Sequence, residues 1–378
     1  MSPIMHKVVV ASDSFKGCLS SWQVAEAVAK GISEQMPDCE VVKLAVADGG
    51  EGSMDALATT LGGRIIRTAV QDPIGRIVEA EYAIVDESVA VIEMARASGL
   101  TLLHPDERNP LMTSSYGTGQ LIADALDKGC RRIMVCIGGS ATNDAGTGML
   151  EALGYRFMDA EGNVLKACGG VLGRIGSIDF SNVHPYLKDA EFIVACDVDS
   201  PFCGPDGAAY VYGPQKGATP EMVEELDEGM RHFARIILRT TGFDVTEMPG
   251  AGAAGGLGGA LKAFLKAQMR RGADMILDAV DFDMIISGAD LVITGEGRID
   301  GQTLAGKLPY VVARRAAVQN IPVIALCGCS QVDSLPVFLS IHPVTPVDMP
   351  LSSAMEPDTA SMNIMDTVRR ISVWSVND

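Results

Sequence analysis

The chain has 378 residues, 47% of them hydrophobic, with 41 glycines and a formal net charge of −18. That length exceeds what a single core usually holds, so two domains are expected, and so acidic a chain lacks the basic surface that binding a nucleic-acid backbone requires. It contains no run of about 18 apolar residues and no basic leader before an apolar stretch, so neither a membrane span nor a secretory signal is indicated and a cytoplasmic location is expected.

Val8 to Ala11 read as a buried strand, which breaks at once into Asp13, Ser14, Lys16 and Gly17; helical spacing then resumes over about 21–34. The polar cluster therefore lies at a strand-to-helix turn, where open α/β sheets bind ligands and a helix start offers free N–H groups to an anion. A strand at 41–46, the turn ADGGEG at 47–52 and a helix over Ser53–Leu61 follow. The middle differs in texture. Short β-type runs (Glu79–Val85, Val89–Met94, Ile133–Ile137, Phe192–Cys196, Ala208–Tyr212) alternate there with glycine-rich turns and helices near 117–128 and 220–238. The opening pattern returns with a strand at 291–295, a helix around 309–318, a strand at 322–328, apolar residues near 336–344 and a helix near 358–373. The expected fold is α/β in two domains: a doubly wound, mostly parallel, Rossmann-like sheet domain from both chain ends (1–65 and 286–378), interrupted by an inserted α/β domain (66–285). Ligand sites commonly sit in the crevice between such domains.

Nine scattered cysteines, the closest pair in CxC spacing, support neither a disulfide framework nor a zinc site, and the five histidines form no metal-binding pair. Two glycine patterns invite a wrong turn. Gly250, Gly252 and Gly255 satisfy GxGxxG, which would make the protein a nicotinamide-dependent oxidoreductase, but no good strand precedes them and the downstream segment continues as helix. A glycine-rich loop of this kind, with Gly256, still suits a phosphate. GQTLAGK at 301–307 matches a P-loop except that Leu308 stands where a hydroxyl should meet magnesium, and the strand ending at Gly295 leaves the loop detached; Lys307 can nonetheless reach a phosphate.

The acidic turns carry more chemistry. Asp48 and Glu51 follow the second strand, while Glu296, Arg298 and Asp300 follow the strand at 291–295. If these strands share a parallel sheet with the first, all three turns lie on one edge. Asp48, Glu51 and Glu296 then suit Mg²⁺, which takes one or two protein carboxylates and completes its shell with water and nucleotide phosphates. Arg298 suits a bidentate grip on a carboxylate or phosphoryl group. In the middle region Ser140, Thr142, Asn143 and Asp144 follow a short strand, as does Asp197; Lys216, Arg96, Arg108, Thr113, Ser114, Ser115 and Thr118 add cations and hydroxyls fit for a polyhydroxylated ligand. Together these point to a nucleotide-dependent phosphoryl transferase, whose chemistry needs positioning and charge neutralisation more than a special nucleophile.

The blocks DSFKG, VADGGEG, IEMARASGL, ERNPL with TSSYGTG, IGGSATNDAGTGMLEALG, ACDVDSPFCG, GPQKGAT, PGAGAAGGLG and DLVITGEGRIDGQTLAGK, in this order, resemble the bacterial type I glycerate kinases over about residues 7–330. Cys18 departs from that pattern, replacing a small hydroxyl residue. The resemblance implies transfer of the ATP γ-phosphoryl group to D-glycerate with Mg²⁺, usually at the 2-hydroxyl, in two α/β domains with the first interrupted by the second. On that reading Ser14, Lys16 and Gly17 belong to the phosphate or substrate anion site, with Lys16 neutralising the transferring group and Arg298 and Lys307 as further clamps. Asp197 or Asp144 would accept the hydroxyl proton. Arg96, Ser140, Asn143, Lys216, Gly252, Gly255 and Gly256 would bind substrate or phosphate, and Asp48, Glu51 and Glu296 the metal. A homodimer is allowed for as the assembly, with no residue that requires it. The rivals are the oxidoreductase and a sugar-acid sensor that binds glycerate without consuming ATP.

Overall fold

The computed structural model describes residues 5–371, which divide into two compact units. The first takes in the residues up to Asp48, then Asp55–Gly62 and those from Ala273 onward; the second takes in Gly49–Met54 and Gly63–Gly272. Among the described residues no helix is long and apolar enough to cross a membrane.

The strand Lys7–Ser12 lies inside a parallel sheet because its β-branched run can be buried on both faces. Val8 lies opposite Leu291 on one side and Val41 on the other. The sheet runs in the order Ser340–Pro343, Val323–Ser330, Leu291–Ile299, Lys7–Ser12, Glu40–Ala45, parallel throughout. The two chain ends thus share one sheet, as their matching patterns predict. Val8, Val10, Ile293 and Leu326 pack with Val24, Val28 and Ile32 of the helix Ser21–Gln35 and with Ile364 and Val368 of the helix Pro357–Arg369. The alternating residues Val9, Ala11 and Val292 are buried as completely, and the helix Leu308–Val318 packs on Leu291–Ile299. Ser20 starts the first helix: its hydroxyl accepts from the Gln23 amide while the Gln23 side chain accepts from the Ser20 amide. The final helix closes at Arg369; residues 372 and 373 of the predicted span lie outside the described ones.

The second unit has a mixed sheet ordered Gln268–Arg270, Glu191–Ala195, Arg132–Cys136, Val89–Glu93, Ile77–Val85, Arg64–Gln71. The first four strands are parallel and the last two antiparallel. Phe157, Phe192, Phe202 and Phe233 dominate its core, with Phe157 and Phe233 meeting edge to face at 5.9 Å.

Four local expectations are corrected. Ala208–Tyr212 is a helix, not a strand: Ala208 and Ala209 are buried while Tyr210 and Val211 are exposed, and a segment of five residues is too short for periodicity to decide. The strand Arg64–Gln71 escaped the reading because it lies at a sheet edge, with Ile65 40% exposed and the alternation blurred. The helix Leu257–Leu265 stops at Lys266, whose φ of 55° turns the chain into the strand Gln268–Arg270. Finally, Leu291–Ile299 runs four residues beyond the predicted end, so the loop at 301–307 follows a strand directly. That removes one ground for setting aside a P-loop; the other stands, since Leu308 is wholly buried.

Candidate active site

The turn after the first strand is built by two hydrophobic anchors. Phe15 and Leu19, 5% and 4% exposed, exchange backbone hydrogen bonds in both directions, pinching off the residues between them. Gly17 takes φ of 74°, which a side chain would resist, and Lys16 is left at the tip with 65% of its side chain exposed. The Leu291–Ile299 strand approaches this turn at Gly297, where an added Cβ would lie 3.9 Å from the Lys16 amide nitrogen. The predicted convergence is therefore real for three turns: parallel pairing brings the ends of the first, second and 291–299 strands to one edge.

Around Lys16 stand acids. Lys16 Nζ lies 3.7 Å from Asp48. Asp13, 6% exposed, donates its own amide to Gly295 O, and its carboxylate accepts from the Ser14 amide at 2.7 Å. Burial, reinforced by the negative charge of Asp48, pushes the Asp13 carboxyl up to about 7. Sequence reasoning placed Asp13 in the turn but gave it no role; its position between a buried strand and Ser14 was the available signal. Glu296, 9% exposed, accepts from Thr303 Oγ1 at 2.8 Å and from Lys307 Nζ at 3.1 Å, and burial raises its pKa. Asp300 caps the 301–305 turn through the Gln302 amide and lies 3.7 Å from both Lys307 and Arg298.

Among the described residues no group of three or more His, Cys, Asp or Glu side chains is arranged to hold an ion. Of the expected set, Glu296 accepts from Thr303 and Lys307 through its two oxygens, Asp48 lies beside Lys16, and Glu51 is exposed.

In the second unit Asp144 is fully buried and accepts four hydrogen bonds, from the Ser115 amide and hydroxyl at 2.7 and 2.8 Å and from the Gly146 and Gly148 amides at 3.1 Å. Burial raises its pKa. A carboxylate so enclosed holds the turn at Ser115 to the turn at 144–148. Asp144→Ala is expected to cost roughly 3 kcal/mol or more, read as a lower urea midpoint, because several buried donors lose their acceptor. Asp197, the other predicted base, is exposed and accepts from the Gly272 amide at 3.0 Å. Ser140 is 8% exposed and bridges to Gly99, and Arg96 donates to the buried Glu93 at 3.2 Å.

The 250–256 glycines serve packing. An added Cβ at Gly252 or Gly255 would lie 2.1 Å from the Pro201 or Thr142 carbonyl oxygen, and the Gly252 and Gly256 amides donate to Ser200 O and Gly252 O. Gly252 and Gly256 therefore have no free amide for a phosphate, and no strand precedes the loop, which removes the dinucleotide reading. Lys216 is 1% exposed and donates to Thr142 O at 2.6 Å; Asn143 is wholly buried, its amide nitrogen 3.2 Å from Met230 sulfur.

Residues 8–375 match the model of a family described as the glycerate kinase family. The chain is 46% identical to a glycerate kinase of Bacillus subtilis (strain 168), covering 93% of each chain. It is 44% identical to a glycerate 2-kinase of Escherichia coli (strain K12), covering 97% of this chain and 96% of the other. A crystal structure from Salmonella typhimurium LT2, of a protein provisionally named glycerate kinase 2, superposes with a TM-score of 0.90 at 44% identity, covering 97% of both chains.

Proposed function

The chain belongs to the glycerate kinase family, and from that membership we propose that it moves the γ-phosphoryl group of ATP to the 2-hydroxyl of D-glycerate, with magnesium entering as part of the nucleotide substrate. The observation that carries the proposal beyond the family is the placing of Lys16 beside Asp48, with the buried Asp13 in the same turn, and of Lys307 on the buried Glu296, at the ends of adjacent parallel strands.

In this reading Lys16, Arg298 and Lys307 neutralise charge on the phosphoryl oxygens, and Ser14 with Gly17 lines the approach. Asp13 replaces Asp144 and Asp197 as the group that takes the hydroxyl proton. As that proton moves to Asp13, the glycerate oxygen bonds to the γ-phosphorus and the bond to the bridging oxygen breaks, releasing ADP. No step is routed through a protein-held metal. A sensor that only bound the acid would gain nothing from two buried carboxylates beside its cations, since they repel an anion.

The test is incubation with Mg·ATP and D-glycerate, following ADP release and identifying the product by phosphorus NMR. A 2-phosphoglycerate signal is expected. The 3-phospho isomer would overturn the position of transfer and keep the kinase; binding of glycerate without ADP release would overturn the kinase itself.

A further inference from the structure

We propose that the second unit holds the acid substrate in a polar pocket made by Arg108, Ser114, Thr142, Asn143 and Lys216, with the carboxylate on the two cations and a hydroxyl on the neutral side chains. The proposal rests on the reading of glycerate as the acceptor.

Buried polar atoms are nearly always partnered. Among the described residues, seven buried side-chain nitrogen or oxygen atoms lack a hydrogen-bond partner, and four of them belong to this set: Arg108 Nε, Ser114 Oγ, Thr142 Oγ1 and Asn143 Oδ1. The segments that carry them adjoin. Lys216 donates to Thr142 O, and an added Cβ at Gly217 would lie 2.4 Å from Arg108 O and 2.9 Å from Arg108 Cβ. At Gly148 an added Cβ would lie 2.1 Å from Ser114 Oγ and 2.8 Å from Asp144 Oδ2, which places Ser114 beside the turn that follows Thr142 and Asn143.

Charge selects the ligand. Thr142 O is the hydrogen-bond acceptor of the buried Lys216 ammonium among the described residues, and the nearby Asp144 is already saturated by four donors. Burial accordingly lowers the Lys216 pKa to about 7, and an anion would restore the charged form. Asn143 discriminates further. Its nitrogen is directed at Met230 sulfur, so the unpartnered Oδ1 can only accept and calls for a donor. An ionised phosphate chain has none, whereas a small hydroxy acid brings both a carboxylate and hydroxyl donors.

The test is calorimetric titration of D-glycerate, in saturating Mg·ADP so that no turnover occurs, into wild type, Lys216→Met and Thr142→Val; Mg·ADP itself is titrated separately. At least a tenfold loss of D-glycerate affinity is expected in Lys216→Met and a several-fold loss in Thr142→Val, with Mg·ADP affinity unchanged. Lys216→Met should fold, since an apolar chain of similar length replaces a buried ammonium, and the near-isosteric Thr142→Val carries the test if it does not. Unchanged D-glycerate affinity in a folded variant, or loss of Mg·ADP affinity instead, overturns the pocket. A wild type that releases no ADP yet binds D-glycerate through Lys216 would overturn the kinase reading and leave the pocket standing.

Discussion

Lys16→Ala is expected to lower kcat by about three orders of magnitude while leaving the melting temperature unchanged. The two effects separate because of how the turn is built. Phe15 and Leu19 hold it by burial and by mutual backbone hydrogen bonds, whereas the Lys16 side chain is mostly exposed and contributes only a 3.7 Å ion pair with Asp48. Such an exposed pair adds little to stability. A cation that meets developing phosphoryl charge, by contrast, acts in the transition state. Steady-state kinetics with thermal melting decides the matter; near-normal turnover in the folded variant would remove Lys16 from the mechanism.

Asp13→Asn is expected to reduce kcat by about 10²–10⁴-fold, the range typical of losing a positioned base. Its effect on stability has the opposite sign and depends on pH. The folded carboxyl titrates near 7 and an unfolded one near 3.8, so between those values the folded state binds more protons. Wild-type stability therefore falls as pH rises through that window, and the full cost of the buried charge is present above about 7. The asparagine carries no such cost. Its melting temperature should exceed that of wild type at pH 8, and the gap should close as pH is lowered toward 4. A variant that keeps its turnover, or whose stability advantage is independent of pH, would show that Asp13 is neither the base nor a strained carboxylate.

Some of this site was legible in the chain and some was not, for reasons that differ by residue. Lys16, Asp48 and Glu296 were visible because a polar turn after a buried strand points to the ligand edge of a parallel sheet, and the pairing of Val8 with Leu291 and Val41 puts those edges together. Asp13 and Asp144 show what spacing conceals. Both are acids in a turn after a strand. One accepts a single backbone hydrogen bond and titrates near neutrality; the other accepts four and is locked away. The glycines at 250–256 likewise match a phosphate-loop pattern, yet the Pro201 and Thr142 carbonyls lie where side chains would go.

The α/β class, the return of the C-terminal strands to the N-terminal sheet and the family were all readable from the chain, because hydrophobic periodicity and motif order are local properties of it. Which polar residues are enclosed and fully hydrogen-bonded and which stay open emerges only in the tertiary structure, since that depends on the burial and partners supplied by distant segments. Lys216 is the plainest case: in the chain it is a lysine in a glycine-flanked loop, and only the fold shows it buried with its amine on the Thr142 carbonyl 2.6 Å away.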